Sequence, residues 1–157
     1  MLYSLNYSSP IGLIEVTGDE NALKQLKFVD SFRGESYQHA DILKDAEIWL
    51  DRYFSGKDPG TPPPMAPEGT SFQQKVWNEL MKLKRGELIS YGELARRVNS
   101  HARAVGQAVG RNPLPLFIPC HRIVAAHNLG GYTPGIELKK KLLLLESGGD
   151  NTLDFTV

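Results

Sequence analysis

A chain of 157 residues, 41% of them hydrophobic, has the size of one compact domain, or of a catalytic domain with a small partner. No run of about 18 apolar residues is present and residues 1–4 lack the layout of a signal peptide, so we expect neither a membrane span nor secretion. The single cysteine excludes an internal disulfide and a multi-cysteine zinc site, and it favours a reducing cytoplasmic or other intracellular compartment.

The net charge of zero hides an asymmetry between the two halves of the chain. Residues 1–70 carry six Lys and Arg against eleven Asp and Glu, a balance of −5. Residues 71–147 carry twelve against five, a balance of +7, and Asp150 and Asp154 bring the total to zero. A basic half is typical of a surface that binds a polyanion, although ordinary scatter of surface charge gives the same numbers.

The first half of the chain predicts a small antiparallel sheet followed by a helix. Residues 2–28 place apolar side chains in short strands between turn signals. Residues from about His39 to Phe54 repeat apolar side chains at helical spacing, and Gly56 is expected to end that helix. The proline density of residues 58–67 excludes a helix and favours an extended linker.

We therefore expect an α+β chain with two domains. The first, residues 1–68, contains the small N-terminal sheet, the helix and the linker. The second, residues 69–148, is expected to be mostly helical and to contain a helix-turn-helix and an active-site loop. Residues 149–157 are expected to form a loose tail.

The second half opens with three predicted helices. Residues 70–73 form a capping-box pattern, and apolar side chains at helical spacing then continue to Gly86, namely Phe72, Val76, Leu80 and Leu83. Residues 90–93 repeat the capping pattern before a short helix, and Ser100 is expected to cap a third helix from Ala102 to Gly110. Two short helices joined by residues 98–100 match a helix-turn-helix, a pattern that other small α-hairpins share.

The rest of the second half predicts a strand and a last helix. Residues 116–124 are an apolar segment, expected to be a strand, that Cys120, His121 and Arg122 interrupt. Thr133 is expected to cap the last helix, with Pro134 at its first position. That helix is expected to turn leucines inward, to end near Glu146 and to have Gly148 as its cap, the inward leucines being Leu138, Leu142 and Leu145.

The residues around the single cysteine suggest a nucleophile. Thiol reactivity requires the thiolate, and His121 and Arg122 place a base and a cation directly after Cys120. Glu146 could orient the histidine and complete a Cys–His–Glu relay. Each residue also has a structural interpretation: a small buried apolar cysteine, a hydrogen-bonded core histidine, an arginine that anchors the loop, and an exposed helix end.

Residues 118–124, with the sequence IPCHRIV, resemble the active-site motif of the O6-alkylguanine-DNA alkyltransferases. Further matches occur in the same order and at similar spacing over about residues 70–148. They are Ser90-Tyr91-Gly92, Arg103-Ala104-Val105-Gly106, Asn112-Pro113, Gly131-Tyr132, Gly135, and Leu142-Leu143 with Glu146. The first half matches the family only in its layout.

The resemblance implies a direct-reversal repair enzyme, a methylated-DNA–protein-cysteine S-methyltransferase that acts once. Cys120 would accept the alkyl group, with His121 as the base through a bridging water and Glu146 holding His121. Tyr91 would give a proton to N3 of the leaving guanine. Asn112 would tie the end of the recognition helix to the active-site loop, which Arg122 would support.

The resemblance also implies a partner, double-stranded DNA that contains alkylated guanine. The target nucleotide would be flipped out of the duplex, and Arg103 would fill the gap that it leaves. Small residues would let the recognition helix approach the groove closely, namely Ala102, Ala104 and Gly106. Tyr91 would also press on the phosphate beside the flipped base. We expect the protein to act as a monomer.

The base pocket implied by the resemblance has apolar walls, formed by Val109, Pro115 and Tyr132. The backbone carbonyls of Cys120 and Ile123 would accept from the guanine amine, and the Thr133 N–H would donate to O6. No cofactor is implied, and no metal is expected because the first half lacks the cysteines that bind zinc in some relatives. The sequence leaves open whether O4-alkylthymine is also a substrate.

Two other classes of protein remain compatible with the residues. One is a DNA-binding module that recognises alkylated bases without chemistry and recruits other factors. The other is a cysteine hydrolase or acyltransferase that uses Cys120, His121 and Glu146 on a small molecule. Adjacent Cys and His disfavour the latter, because the base of a cysteine hydrolase is normally distant in the chain.

Overall fold

The computed structural model describes residues 2–34 and 40–148. The fold class is α+β, as predicted, and the chain divides into two compact units, Met1–Glu68 and Gly69–Val157. The predicted helix start at His39 and the predicted tail over residues 149–157 lie outside the described residues. Among the helices of the described part, none is long and apolar enough to cross a membrane.

The first unit contains the predicted antiparallel sheet. Its strands are β1 (Tyr3–Ser9), β2 (Gly12–Gly18) and β3 (Leu23–Val29), paired in the order β1-β2-β3. Alternation of apolar and polar residues turns one face inward, so that Leu5 pairs with Val16 and both are buried.

Helix α1 (Asp41–Phe54) follows the sheet and confirms the predicted apolar face. All six side chains of that face are buried, namely Ile42, Leu43, Ala46, Trp49, Leu50 and Tyr53. Gly56 adopts φ +84° just after the helix, and its N–H donates to the carbonyl of Tyr53 at 3.3 Å. A left-handed glycine in this place is a common helix end.

The proline-rich segment over residues 58–67 is extended, but it is bound to the first unit along its length. Leu23 donates its N–H to the Pro64 carbonyl at 2.8 Å and accepts from the Ala66 N–H at 2.9 Å. The Trp49 indole donates to the Gly60 carbonyl at 3.0 Å. The segment therefore adds short pairing to the edge of the sheet and is not a free spacer.

In the second unit, helix α2 (Ser71–Leu80) begins with the predicted capping box of Thr70 and Gln73. The prediction that it continues through Leu83 is wrong. The chain leaves the helix by tight i→i+3 hydrogen bonds, including Leu83 N–H to the Leu80 carbonyl at 3.0 Å. Leu83 is still buried, because this turn directs it into the core.

Helices α3 (Tyr91–Arg97) and α4 (Ala102–Gly110) are present and pack together, as the hairpin pattern predicts. The Ser90 hydroxyl accepts from the Glu93 N–H at 3.0 Å, while the Glu93 carboxylate pairs with Arg96 and Arg97.

The prediction that Ser100 caps α4 is wrong. His101 is the N-cap, and its Nδ1 accepts from the Ala104 N–H at 3.4 Å. Ser100 instead donates its N–H to the Ala95 carbonyl at 2.9 Å and belongs to the end of α3. Asn99, with φ +55°, makes the left-handed turn that separates the two helices.

The predicted strand over residues 116–124 is wrong for most of its length. Only Ile123–Val124 form a strand, β5, which pairs in parallel with β4 (Ile89–Ser90). Cys120–Arg122 form one turn of 3₁₀ helix instead. The physical reason is that Pro115 and Pro119 lack N–H donors and that Leu116 takes φ +76°, so an extended ladder cannot form here.

Helix α5 (Ile136–Glu146) starts later than predicted, with Gly135 at its N-cap. Thr133 is not the cap, because its hydroxyl donates instead to the Gly110 carbonyl at 2.8 Å. The helix ends at Glu146 as expected, and Gly148 follows it with φ +76°. Leu138 and Leu145 are only half-buried, whereas Lys139 is fully buried.

Candidate active site

Cys120 is held at the start of the 3₁₀ turn by a short network of backbone bonds. Its N–H donates to the Ile118 carbonyl at 2.8 Å, and Arg122 N–H donates to the Pro119 carbonyl at 3.1 Å. The Asn112 amide donates to the Ile118 carbonyl at 2.9 Å, and its oxygen accepts from the Leu114 N–H at 2.9 Å. Asn112, just after α4, thus ties the end of that helix to the cysteine turn.

The Cys120 thiol is 5% exposed and is not in a disulfide. Burial raises the pKa of the thiol to about 11, against the opposing effects of the Asn112 side chain and the Lys139 charge. The resting group is therefore the neutral thiol at neutral pH. A nucleophilic thiolate has to be formed by a base that takes the proton during the reaction.

His121 directly follows Cys120 in the chain, is fully buried and is hydrogen-bonded to a carboxylate. Its Nε2 pairs with Oε2 of Glu146, the last residue of α5. Burial lowers the pKa of His121, and the nearby Glu146 charge opposes that shift. In the neutral imidazole the proton lies on Nε2, facing the carboxylate, so the lone pair is on Nδ1. His121 is thus set up as a base.

Glu146 is buried and accepts from several donors, which excludes an exposed helix end. Arg122 donates from Nε to Oε1 at 2.8 Å and from Nη2 to Oε2 at 3.2 Å, and the Gly86 N–H reaches Oε1 at 3.2 Å. Burial alone raises the pKa of Glu146, but His121 and Arg122 together hold it well below its usual range. The carboxylate is therefore ionised.

Arg122 connects this carboxylate to a distant turn of the chain. Its Nη1 donates to the Leu83 carbonyl at 2.8 Å. The turn after α2 therefore supports Glu146 twice, through Leu83 and through Gly86. Arg122 was predicted to support the active-site loop, but Leu83 and Gly86 were not predicted to take part in the site. They act through a backbone carbonyl and a backbone N–H, which every residue has and which no side-chain motif indicates.

A cavity of about 130 Å³ opens at the thiol. Predicted residues on its wall are Tyr91, Val109, Cys120, Tyr132 and Thr133, and three glycines complete it, namely Gly106, Gly110 and Gly131. The Tyr132 ring lies edge-on to the His121 ring, with centroids 6.4 Å apart. The cavity therefore presents the sulfur to a space bounded mainly by rings and backbone.

Two predicted pocket residues, Pro115 and Ile123, are not on the wall of this cavity. Both are buried. The Ile123 carbonyl accepts from the Lys139 ammonium at 2.6 Å, so it is already engaged in a hydrogen bond within the protein.

Tyr91, the first residue of α3, packs against two glycines. A Cβ on Gly106 would lie 3.9 Å from the ring, which is ordinary contact. A Cβ on Gly130 would lie 2.8 Å from Tyr91 Cε2, and Gly130 also has φ +74°. Burial raises the pKa of Tyr91, while a backbone hydrogen bond from Gly131 lowers it, so the phenol keeps its proton at neutral pH.

An open groove of about 570 Å³ lies next to the cavity and shares Tyr91 and Gly106 with it. The groove is lined by Ser90, Tyr91, Gly92, Ala102, Arg103, Gly106, Ala125 and Ala126. Arg103 and Ala102 are exposed here, whereas Ala104 is not part of the lining. Small side chains make the groove shallow enough for a large ligand to approach the backbone.

Lys139 is the functional candidate that sequence reasoning missed entirely. It belongs to the run Lys139-Lys140-Lys141, which is typical of a solvated helix face, yet it is fully buried.

No group of three or more His, Cys, Asp or Glu that could hold a metal ion lies within residues 2–34 and 40–148.

Comparison with known families gives two matches that together span most of the chain. Residues 71–148 match the family described as 6-O-methylguanine DNA methyltransferase, DNA binding domain. Residues 1–60 match 6-O-methylguanine DNA methyltransferase, ribonuclease-like domain.

Similar proteins carry the corresponding names. The methylated-DNA–protein-cysteine methyltransferase of Methanosarcina acetivorans is 37% identical over 153 residues, covering 92% of this chain and 98% of that protein. The protein of the same name from Saccharolobus solfataricus is 36% identical over 146 residues, covering 93% and 95%.

Solved structures show the same similarity. The O6-methylguanine methyltransferase of Mycobacterium tuberculosis has a TM-score of 0.81 and 33% identity, covering 98% of this chain and 97% of that one. The Mycobacterium tuberculosis OGT in complex with DNA also has a TM-score of 0.81, with 35% identity and 93% of each chain covered.

Proposed function

Because the chain belongs to the 6-O-methylguanine DNA methyltransferase family, we propose that it moves the alkyl group of O6-alkylguanine in DNA irreversibly onto Cys120. The enzyme class is methylated-DNA–protein-cysteine methyltransferase, and the process is DNA repair. One observation carries the proposed site: a buried thiol on a cavity wall, adjacent to a neutral histidine whose far nitrogen faces an ionised carboxylate.

The attack begins with removal of the thiol proton. With its proton held toward Glu146, His121 presents the Nδ1 lone pair and takes the thiol proton through a bridging water. The ionised Glu146 stabilises the imidazolium that results, as the carboxylate does in related triads. The thiolate then attacks the alkyl carbon in line with the bond to O6. The S–C bond forms while the C–O6 bond breaks, and its electron pair stays with the guanine.

The departing guanine needs a proton on N3, and Tyr91 supplies it. Its phenol lies on the cavity wall with the thiol and keeps its proton because burial raises its pKa. After the transfer His121 carries the proton from the thiol, and Tyr91 lacks the proton that it gave to guanine. Both side chains return to their neutral forms when His121 loses a proton to solvent and Tyr91 gains one from it. Asn112 keeps the cysteine turn in place at the end of α4.

Transfer is stoichiometric, because the product is a thioether. A thioether has neither a proton for His121 to remove nor an ionisable sulfur, so the same site cannot act again. Cys120 is therefore a co-substrate, and each protein molecule repairs one lesion.

Helices α3 and α4 act as a helix-turn-helix that binds double-stranded DNA. The target atom lies inside the duplex, so the nucleotide is flipped out at a cost of a few kcal/mol. The shared wall at Tyr91 and Gly106 gives a flipped base a route from the open groove to the cavity, and Tyr91 presses on the adjacent phosphate. Exposed Arg103 fills the gap in the stack, while Ala102, Ala104 and Gly106 allow close approach.

Within the cavity, Val109 and Tyr132 provide the apolar walls for the base, and the Thr133 N–H donates to O6. Every residue used here lies between positions 91 and 146 of one chain, which supports action as a monomer. The reaction needs Cys120 as a free thiol, which a reducing compartment preserves, and this supports an intracellular location.

Intact-mass measurement separates this proposal from the two other classes. The protein is mixed with a duplex containing one O6-methylguanine, and a matched duplex with O4-methylthymine tests that second substrate. A gain of one methyl group, absent in Cys120→Ser, supports transfer. Tight binding with no mass change would identify a recruiting module instead, and repeated turnover of an ester would identify a hydrolase.

A further inference from the structure

Lys139 is a buried ammonium group whose described hydrogen-bond partners are all neutral. It lies within α5 and is fully buried. Its Nζ donates to the carbonyls of Ile123 at 2.6 Å, Leu129, and Gly131 at 3.0 Å. Burial lowers its pKa to about 8, so the side chain is still largely charged at neutral pH. A buried charge is costly, and such groups occur mainly where they have a role.

The three carbonyls belong to two segments, one that follows Cys120 and one that packs against Tyr91. Ile123 directly follows the turn of Cys120–Arg122. Leu129 and Gly131 flank Gly130, the glycine that packs against the Tyr91 ring, and a backbone hydrogen bond from Gly131 acts on the Tyr91 phenol. The Lys139 side chain therefore links the segment that follows the Cys120–Arg122 turn to the loop of residues 129–131, which packs against Tyr91.

The 2.6 Å bond to the Ile123 carbonyl also places the Lys139 ammonium at the segment that begins three residues after Cys120. The charge of this ammonium lowers the pKa of the Cys120 thiol, whereas burial raises it. The other titratable groups around the thiol are Tyr91 and His121, both neutral, while the charges of Arg122 and Glu146 offset each other in a pair. The Lys139 ammonium is thus the described charge that favours a thiolate here.

We propose that Lys139 is a positioning residue for alkyl transfer. It holds the turn of Cys120–Arg122 and the loop of residues 129–131 in a single geometry, and it favours the thiolate form of the sulfur. The inference rests on the proposed transfer to Cys120. It assigns Lys139 no contact with the DNA and no proton-transfer step.

The charge is tested by alkylating the single cysteine with iodoacetamide, which forms a thioether and releases iodide without any guanine. Lys139→Gln keeps two N–H donors and removes the charge, and Lys141→Gln is the exposed control on the same helix. An opposite charge near a thiol lowers its pKa by roughly one unit or more. We therefore expect Lys139→Gln to react about tenfold more slowly at pH 7, where Lys139 is charged, and the two rates to converge above about pH 8 as Lys139 loses its proton. Identical profiles for Lys139→Gln and Lys141→Gln would overturn the charge effect.

The positioning role is tested with free O6-benzylguanine, whose departure needs Tyr91 as well as the thiolate. Lys139→Met removes both charge and donors, so the ratio of its benzylguanine rate to its iodoacetamide rate should fall about tenfold below that of Lys139→Gln. An unchanged ratio would overturn the link between the two segments. If circular dichroism shows that Lys139→Met does not fold, the ratio in Lys139→Gln, compared with Lys141→Gln, decides: a fall supports the link and no change overturns it.

The two proposals fail in different ways. If wild-type protein gains no methyl group from O6-methylguanine DNA, the proposed function fails while the iodoacetamide profiles still measure the Lys139 charge. If wild-type protein transfers the methyl group and the profiles coincide, only the inference about Lys139 fails.

Discussion

At the scale of single residues, the proposed chemistry depends on His121 being neutral and Cys120 being a thiol until the moment of reaction. Burial lowers the pKa of His121 and raises that of Cys120 to about 11. The reactive pair, thiol with neutral imidazole, is therefore the dominant form over a wide range around neutral pH. Hydrogen bonds fix which imidazole nitrogen acts, so protonation state and geometry support the same direction of proton transfer.

This predicts the shape of the pH profile for reaction with free O6-benzylguanine. Between the lowered pKa of His121 and about pH 8, where Lys139 loses its charge, the rate should be nearly flat, and it should fall at acid pH as His121 gains a proton. His121→Gln should lower the plateau about a hundredfold or more. A wild-type rate that climbs tenfold with each pH unit through neutrality would show instead that preformed thiolate reacts without the base.

Glu146 supports both the base and the fold. Glu146→Gln removes a buried negative charge and leaves the Arg122 guanidinium without its ionic partner, so we expect unfolding free energy to fall by about 3 kcal/mol. Glu137→Gln, on the exposed side of the same helix, should stay within about 0.5 kcal/mol of wild type. Urea unfolding measures both variants, and equal stability for the two would contradict a structural role for the buried network.

At the scale of elements, α4 and the loop around Gly130 are expected to have different roles. Helix α4 contributes Arg103 to the open groove, whereas Gly130 packs against Tyr91 on the cavity wall. Arg103 lies on the groove, away from the thiol cavity, so it should matter for duplex DNA and not for a free base. We expect Arg103→Ala to slow repair of O6-methylguanine in a duplex at least tenfold, roughly the effect of losing one side chain inserted into the base stack. The rate with free O6-benzylguanine should change less than twofold. Arg111→Ala, on the exposed end of the same helix, is the control. Equal losses on both substrates would remove the assignment of Arg103 to base flipping.

The packing of Gly130 on Tyr91 gives a second prediction at this scale. Gly130→Ala should displace the Tyr91 ring, because the new Cβ would lie 2.8 Å from Cε2 and the backbone has φ +74°. We expect transfer from O6-benzylguanine to fall about tenfold and stability by about 1 kcal/mol. Gly131→Ala, where a Cβ meets nothing within 4 Å, should be much milder. Identical rates for the two variants would show that the ring position is not critical.

Sequence patterns predicted elements well where side chains alone determine them. The strands of the first unit, the buried face of α1 and the capping box of α2 follow from apolar spacing and from Thr70 and Gln73. The segment from Leu116 to Cys120 was mispredicted, because an apolar run resembles a strand while prolines and a left-handed Leu116 prevent one. His101 was missed as a cap because histidine rarely serves in that place.

Sequence reasoning found the site residues with reactive side chains but not the groups that position them. The motif and its spacing predicted Cys120, His121 and Glu146, and the fold brings His121 and Glu146 together across 25 positions. Lys139 gave no signal, because its burial depends on three carbonyls from other segments. Tertiary backbone contacts of this kind have no periodicity in the sequence.

At the scale of the whole molecule, the site residues all lie in the unit Gly69–Val157, and their ionisation is coupled to the stability of the fold. Glu146 has its folded-state pKa below the value of 4.5 that it has when exposed, so the stability it contributes is complete above about pH 4.5 and is lost as pH falls further. His121 has its pKa lowered from 6.5, so unfolding also binds a proton below that pH. Both effects have the same sign.

We therefore predict that stability declines steadily as pH falls below about 6.5, with a steeper loss below about 4.5. Urea midpoints measured between pH 7 and pH 4 test this. Glu146→Gln should flatten the part of the curve below pH 4.5, because its side chain does not titrate. An unchanged slope in that variant would show that other carboxylates control acid unfolding.

We propose that each protein molecule is consumed by one transfer to one sulfur. The most direct test is intact-mass spectrometry after mixing the protein with a twofold excess of duplex DNA that contains O6-methylguanine. We predict that every molecule gains one methyl group, that the modified peptide contains Cys120, and that half of the lesions remain. Repair of more lesions than there are protein molecules, or a methyl group on any residue other than Cys120, would contradict the account.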